Sequence, residues 1–263
     1  MTLSIDMNCD MGESFGHYVL GFDEDILKNV SSASIACGFH AGDYMVMDKT
    51  VKMAMENNVA IGAHPGYPDL QGFGRRSLDM SFKELKNIIL YQIGAIEAFT
   101  RARGSKLVHV KCHGALGNDA NNRAIKGDYE VVKALGQAVL EYDKNMAVMA
   151  FAKSTMVDRL RDMGVHVLEE VFADRAYNAD CSLVSRKKPG SLITSPDEVI
   201  ERVLKMVKEK VIVTIDGQEI KDINADTICF HGDTPTAVEL TRNMKEAFEK
   251  EGIKVKNPLQ QNA

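Results

Sequence analysis

Residues 59–66 read VAIGAHPG, an apolar run of five followed by a histidine in a turn marked by proline and glycine. A run this short and this aliphatic fits a strand buried on both faces, the kind found in parallel sheets. His64 follows directly at its carboxyl end, where β/α proteins keep their reactive groups. The arrangement recurs. Glycines bracket His40 in GFHAG (residues 38–42) and follow His113 in HGALGN (residues 113–118) and His231 in HGD (residues 231–233). Four of the seven histidines therefore stand just past an apolar run, beside glycines that let backbone approach a ligand.

The rest of the chain keeps the same rhythm. Short strands are expected at residues 4–9, 32–37, 59–63, 107–111, 146–150, 166–170 and 225–230, with a hairpin over 211–223 that turns on Asp216-Gly217. Helical spacing marks 43–57, 81–103, 128–142 and 154–163, and Thr234-Pro235 opens a last helix that ends near residue 250. In 81–103, Leu85, Ile88, Ile89, Ile93, Ile96 and Phe99 form one stripe. Ser81 with Glu84 predicts a capping box, and Ser195-Pro196-Asp197-Glu198 a second start of the same kind. Methionines such as Met47, Met53 and Met55 fall in helical segments and read as core packing. His109 and His166 lie inside strand runs and read as structural. No linker or low-complexity stretch interrupts the alternation. The expected fold is α/β, an irregular (β/α) barrel of about seven strands forming one domain over 1–263, with a doubly wound open sheet as the alternative.

At 263 residues, 45% hydrophobic and 26% charged, the chain is neither disordered, collagen-like nor a disulfide scaffold. A net charge of −5 gives no field to attract nucleic acid or an anionic membrane, so neither is an expected partner. The basic groups at Arg101, Arg103 and Lys106, and at Arg186, Lys187 and Lys188, read as solvated faces. Five cysteines (Cys9, Cys37, Cys112, Cys181 and Cys229) include no C-x-x-C pair and predict reduced thiols in the cytoplasm. MTLSIDMNCDMGES lacks the apolar stretch of a signal peptide, and no run approaches the about 18 residues of a membrane span. There is no G-x-x-x-x-G-K-[ST] loop and no G-x-S-x-G elbow, and Gly72-Phe73-Gly74 lacks the third glycine of a dinucleotide fingerprint.

If the fold is a barrel, the groups after its strands converge on one face. These are Asn8, Asp10 and Glu13, then His40, His64, and Lys111, His113 and Asn118, followed by Lys153 and Ser154, Asp174 and Arg175, and His231 and Asp233. Arg75 and Arg76 add guanidiniums suited to an anionic group. Asp43 and Asp233 also have a simpler reading as helix starters.

Five blocks, NCDMGESFG (8–16), SSASIACGFHAGD (31–43), AIGAHPGYPDLQGFGRR (60–76), FADRAY (172–177) and ADTICFHGDTP (225–235), together resemble the LamB/YcsF family in order over nearly the whole chain. The resemblance implies a barrel related to the glycoside hydrolase/deacetylase barrels. It also implies the first component of a three-part 5-oxoprolinase, which converts 5-oxo-L-proline, ATP and water to L-glutamate, ADP and phosphate with partner subunits B and C. ATP is then a co-substrate whose chemistry falls largely to a partner, since this chain has no phosphate loop. The implied catalytic residues are Asp10, Glu13, His40, His64, Lys111 and His113. Asp10 or Glu13 would act as general base on water or on the ring nitrogen's proton, His64 and His113 would shuttle protons or polarise the carbonyl, and Lys111, Arg75 and Arg175 would hold a carboxylate or phosphoryl group. Asn8, Arg75, Arg76, Asn118, Asp174, Arg175, His231 and Asp233 are the implied substrate-binding set. Two other readings use the same atoms. Asp10, His64 and His113 would suit zinc or another divalent ion in a carbohydrate deacetylase, or the chain would bind the lactam without catalysis. Where the family has a proline and an aromatic, this chain has Cys112 and Gly117, which predicts an altered pocket wall. Lys153 and Cys181 stand where the family has glycine, and Ser182 and Ser185 where it has threonine and proline, so a change in substrate fit is expected at those loops.

Overall fold

The first strand, β1 (Ser4–Met11), alternates with period two: Ile5, Met7, Cys9 and Met11 join the main apolar core, which leaves Asp6, Asn8 and Asp10 on the opposite face. That polar face looks into a barrel. The computed structural model describes residues 3–232 and 236–259. After β1 come α1 (Asp23–Ile26), β2 (Ser32–Ala36), α2 (Tyr44–Glu56), β3 (Ala60–His64), α3 (Phe82–Ala102), β4 (Leu107–Val110), α4 (Gly114–Ile125) and α5 (Glu130–Tyr142). The chain continues with β5 (Ala147–Phe151), α6 (Thr155–Asp162), β6 (His166–Phe172), α7 (Pro196–Lys208), β7 (Ile212–Val213), β8 (Glu219–Ile220), β9 (Thr227–Phe230), α8 (Ala237–Lys250) and β10 (Lys254–Val255).

Strands β1 to β6 pair in parallel in chain order, β9 pairs with β6, and β9 also pairs with β1, closing a seven-stranded parallel barrel. The closure excludes the open doubly wound sheet. β7 and β8 form the expected antiparallel hairpin beside it. β10 adds in parallel to the amino end of β1, through Ser4–Lys254 and Ile5–Val255. Just beyond, Asn257 donates to Ser32 Oγ at 2.6 Å, and Leu259 packs on Ala147, Met149 and Leu168, a small apolar cluster apart from the main core. The carboxyl-terminal segment thus covers the amino-terminal end of the barrel and leaves the other end for the site.

The inside of the barrel is uneven. On one side Asp6 accepts hydrogen bonds from Ser31 and Ser32 at 2.6 Å each and from Thr227 at 2.5 Å. Beside them His109 is fully buried, with Nε2 3.1 Å from Ser34 Oγ. Gly62 makes room for it, since a Cβ there would run into the His109 ring. The structural reading of His109 therefore holds. His166 is exposed at the start of its strand.

All seven expected strands are present, with ends shifted by one or two residues. The capping box at Ser81 and Glu84 forms in both directions. Asp43 caps α2 by accepting from Met45 N and Val46 N. The second expected cap differs: Ser195 makes no side-chain cap bond, and Pro196 alone marks the start of α7. α8 starts at Ala237, and Asp233 and Thr234-Pro235 lie outside the described residues. Three elements were not expected: α1, α4 and β10.

Lys153 and Cys181 both hold left-handed backbone, at φ 54° and 63°. A side chain there costs about 1–2 kcal/mol that glycine avoids. Lys153→Gly is therefore expected to stabilise the protein by about 0.5–1 kcal/mol after the greater unfolded-state freedom of glycine is counted. Urea unfolding checks this: the midpoint should rise at constant slope, and a fall would show that the bond from Lys153 Nζ to Lys221 O outweighs the strain.

Candidate active site

Strand ends place the site, and a lysine organises it. Lys111 directly follows β4, and its buried Nζ lies 2.8 Å from Asp10 Oδ1, 3.0 Å from Glu170 Oε1, 2.9 Å from Asn8 Oδ1 and 2.9 Å from Cys229 Sγ. Asn8 in turn donates to Glu170 Oε1 at 3.0 Å and to Thr227 Oγ1 at 2.7 Å. Burial works against charge on Lys111, but Asp10, Cys229 and Glu170 outweigh it and hold the ammonium well above its ordinary pKa. The same balance sets Asp10: burial raises its pKa, while His64 and Lys111 together bring it well below the usual carboxylate range. Burial pushes the Cys229 thiol well up, against the pull of Lys111.

Beside Asp10 stand three imidazoles. His40 stacks on His113 with centroids 3.7 Å apart and planes 4° from parallel, and His64 meets both edge-on. His64 Nδ1 lies 2.7 Å from Lys111 O, His113 Nε2 2.8 Å from Phe73 O, and His64 Nε2 3.0 Å from His113 Nδ1. Glu13 Oε1 is 3.2 Å from His40 Nε2 and 3.4 Å from His113 Nδ1, and Asp10 Oδ2 is 3.4 Å from His64 Nε2. Burial first, then the neighbouring imidazoles, holds His40 and His113 well below the ordinary histidine pKa, so both are neutral at pH 7. The loop after β3 covers them. Phe73 lies edge-on to both rings, and a Cβ at Gly74 would come within 2.6 Å of His40 Cβ and 2.8 Å of His113 Cδ2. This is the role of the GFGRR stretch that resembles a dinucleotide fingerprint.

The resulting pocket is lined by Asp10, His64, Lys111, His113 and Glu170 together with Arg75, Asn118, Arg175 and His231. Cys112 and Gly117 also line it, so the two departures from the family pattern do fall on a wall. Lys153, Cys181, Ser182 and Ser185 do not, and what singles out the first two is backbone conformation. His231 Nδ1 is 2.9 Å from both oxygens of Asp174, and His231 outweighs burial to lower the Asp174 pKa.

Several candidates have other placements than the sequence implied. Arg76 pairs with Asp69 and does not line the pocket. Asn8 lies fully buried beneath Lys111, and Asp174 and His40 stand behind His231 and His113. The Lys111 ammonium already faces four partners, which leaves no direction for a substrate carboxylate. Ser154 caps α6 through Val157 N. The ion-binding set also changes. Glu13, His40, His64 and His113 bring donor atoms within 4.8 Å of one another, while Asp10 is turned to Lys111 through Oδ1.

Glu170 escaped the sequence reading. Its signal is an acid pair inside an otherwise apolar strand, HVLEEVF, where a carboxylate needs a buried cation.

The LamB/YcsF family model matches residues 5–263. The chain belongs to the LamB/YcsF family. Among relatives of this LamB/YcsF chain, a Thermococcus sibiricus protein named as the A subunit of 5-oxoprolinase is 49% identical over 253 residues, covering 96% of this chain and 97% of that one. A Campylobacter jejuni protein of the same name is 51% identical over 251 residues, covering 95% and 96%. The crystal structure of a lactam utilization protein from Thermus thermophilus superposes with a TM-score of 0.90 at 40% identity, covering 97% of this chain and 100% of that one.

Lys111→Met should leave Asp10 and Glu170 as neighbouring buried carboxylates without their cation and cost about 3–5 kcal/mol at neutral pH. In the wild type the depressed Asp10 pKa gives stability that is present above the unfolded value of about 3.9 and lost as pH falls through the folded one. In the variant the carboxylates favour protonation, so stability should rise as pH is lowered from about 7.5 to about 5, opposite to the sign of the Asp10 contribution in the wild type. Urea titrations at both pH values check this, and equal losses at the two would contradict the ion-pair account.

Proposed function

We propose that this LamB/YcsF chain is the lactam-handling component of an ATP-dependent 5-oxoprolinase, opening 5-oxo-L-proline to L-glutamate together with partner subunits B and C. The observation that carries the reading is the pocket, whose lining joins an ionised carboxylate and imidazoles with Arg75, Arg175 and His231. The names of the Thermococcus and Campylobacter relatives support it.

A five-membered lactam is an amide with little strain, and its opening against ready recyclisation gains from coupling to ATP. Transfer of phosphate to the lactam oxygen turns the carbonyl carbon into a strong electrophile. Because this sequence has no phosphate-binding loop motif, we assign the nucleotide to one of the partners and the lactam to this chain. Arg75 and Arg175 hold the substrate carboxylate, with Asn118 beside them. Asp10, kept ionised by Lys111 and His64, takes a proton from the attacking water. His64 and His113 pass that proton on. His231, oriented by Asp174, gives a proton to the departing ring nitrogen, which leaves the γ-acyl phosphate of glutamate, and a second water cleaves that to glutamate and phosphate. Lys111, Asn8 and Glu170 fix the position and charge of Asp10. We place the reaction in the cytoplasm, since all five cysteines are unpaired.

Glutamate release from 5-oxoproline is expected only when this chain, both partner subunits and ATP are present together. Asp10→Asn in that assembly should lower kcat by about 10²–10⁴-fold in the folded protein, with some stability lost because Lys111 then keeps only Glu170 as a carboxylate partner. ATP-independent release of acetate from an acetylated sugar by the lone chain would overturn the reading in favour of a deacetylase. Full turnover by Asp10→Asn, His64→Ala and His113→Ala variants would reduce the chain to a lactam-binding component.

A further inference from the structure

We propose that Glu13, His40, His64 and His113 form a site for one divalent transition-metal ion of the zinc class, with Asp10 beside it as a non-ligand. This rests on the reading above and revises one part of it, since with the ion bound His64 and His113 hold the metal in place of passing a proton; its test reads metal content, so either can fail without the other.

The ring protons of the cluster are fixed by their acceptors. A backbone carbonyl only accepts hydrogen bonds, so the 2.7 Å contact of His64 Nδ1 with Lys111 O puts the proton of that ring on Nδ1. The 2.8 Å contact of His113 Nε2 with Phe73 O fixes the other ring the same way. The two remaining nitrogens, His64 Nε2 and His113 Nδ1, are then both bare lone pairs, and they face each other at 3.0 Å in a buried place. Two acceptors so arranged repel unless a proton or a metal ion lies between them, and the adjoining carboxylate oxygens of Glu13 and Asp10 favour the greater charge of an ion. Glu13 Oε1, 3.4 Å from His113 Nδ1 and 3.2 Å from His40 Nε2, adds negative charge to the same point. The cluster therefore brings three nitrogens and one oxygen within 4.8 Å of one another; His64, His113 and Glu13 form its core, while the His40 ring, parallel to His113, aims its lone pair in a separate plane and must turn to join an ion.

The spacing fits an ion. A tetrahedron with metal–nitrogen bonds of about 2.0–2.1 Å has edges of about 3.3–3.4 Å; three of the six donor separations here are 3.0, 3.2 and 3.4 Å, and all lie within 4.8 Å, so an ion would draw the wider pairs in. Three imidazoles with one carboxylate favour zinc, cobalt or nickel over magnesium or calcium, which prefer all-oxygen shells. The carbonyls of Lys111 and Phe73 stand where metal-binding histidines keep their orienting acceptors. His40 differs, since its buried Nδ1 has no hydrogen-bond partner among the described residues, and it is the ligand whose loss should matter least. Asp10 is withheld from the set by Lys111.

The test is to strip the purified full chain with chelator, confirm its fold by circular dichroism, and add zinc or cobalt alone. One equivalent should bind by elemental analysis, and the cobalt form should show the intense visible bands of a tetrahedral ion. His113→Ala and Glu13→Gln should weaken binding by about 100-fold or more, at or beyond the upper end of the 10–100-fold typical of outer contacts, and His40→Ala by less. Asp10→Asn should keep one equivalent. Glu13→Gln, nearly isosteric, carries the ligand test if His113→Ala does not fold. Less than a tenth of an equivalent on the folded wild type would overturn the proposal and leave a shared proton between His64 and His113. Loss of metal in Asp10→Asn with retention in Glu13→Gln would overturn the ligand set.

Discussion

The buried ammonium of Lys111 ties together four strands that chain order keeps far apart. It follows β4, and its partners come from β1 (Asn8 and Asp10), β6 (Glu170) and β9 (Cys229). Most barrels of this kind fill their centre with branched aliphatic layers. Here one side of the interior is polar, and a single cation compensates two carboxylates whose desolvation would otherwise oppose folding. The apolar cluster of Ala147, Met149 and Leu168 on β5 and β6 is the part of the interior that follows the usual rule. The site thus extends into the barrel's own core, and its geometry inherits the rigidity of strand pairing.

The second determinant is the loop between β3 and α3. Its glycines let backbone lie against imidazole, its Phe73 carbonyl orients His113, and Arg75 turns into the pocket while its neighbour Arg76 is taken by Asp69. One loop therefore shields the histidines from water and supplies a cationic wall. Adjacent arginines end up with unlike tasks because one acidic side chain, seven residues before Arg76, captures it.

That division marks what the sequence could reveal. Alternation and strand-end glycines made the barrel, His64, Lys111 and His113 legible, because period and turn chemistry are local properties. Which of Arg75 and Arg76 faces the pocket depends on Asp69 across a turn, and which of Asp10 and Glu13 joins the histidines depends on where Lys111 arrives from β4. Glu170 stayed hidden because an acid in an apolar strand makes sense only once its cation is known. The four-residue α1 is too short to show a period, and α4 was masked by Gly114 and Gly117 in its first turn. Lys111 itself was read as a hand for substrate, whereas its reach is used up inside the barrel.

The closing pair of strands has a consequence for biosynthesis. β1 needs β9 to complete its pairing, and Asp6 on β1 bonds Thr227, 221 residues later. Contacts of such long sequence separation come late in folding, because the loop they close must be ordered first. A chain still emerging from the ribosome can pair β1 with β2 and β2 with β3, yet the cradle around Lys111 lacks Cys229 until nearly the whole protein has been made. Chemistry is thereby withheld from every truncated translation product, and the reactive pocket matures only with the finished polypeptide.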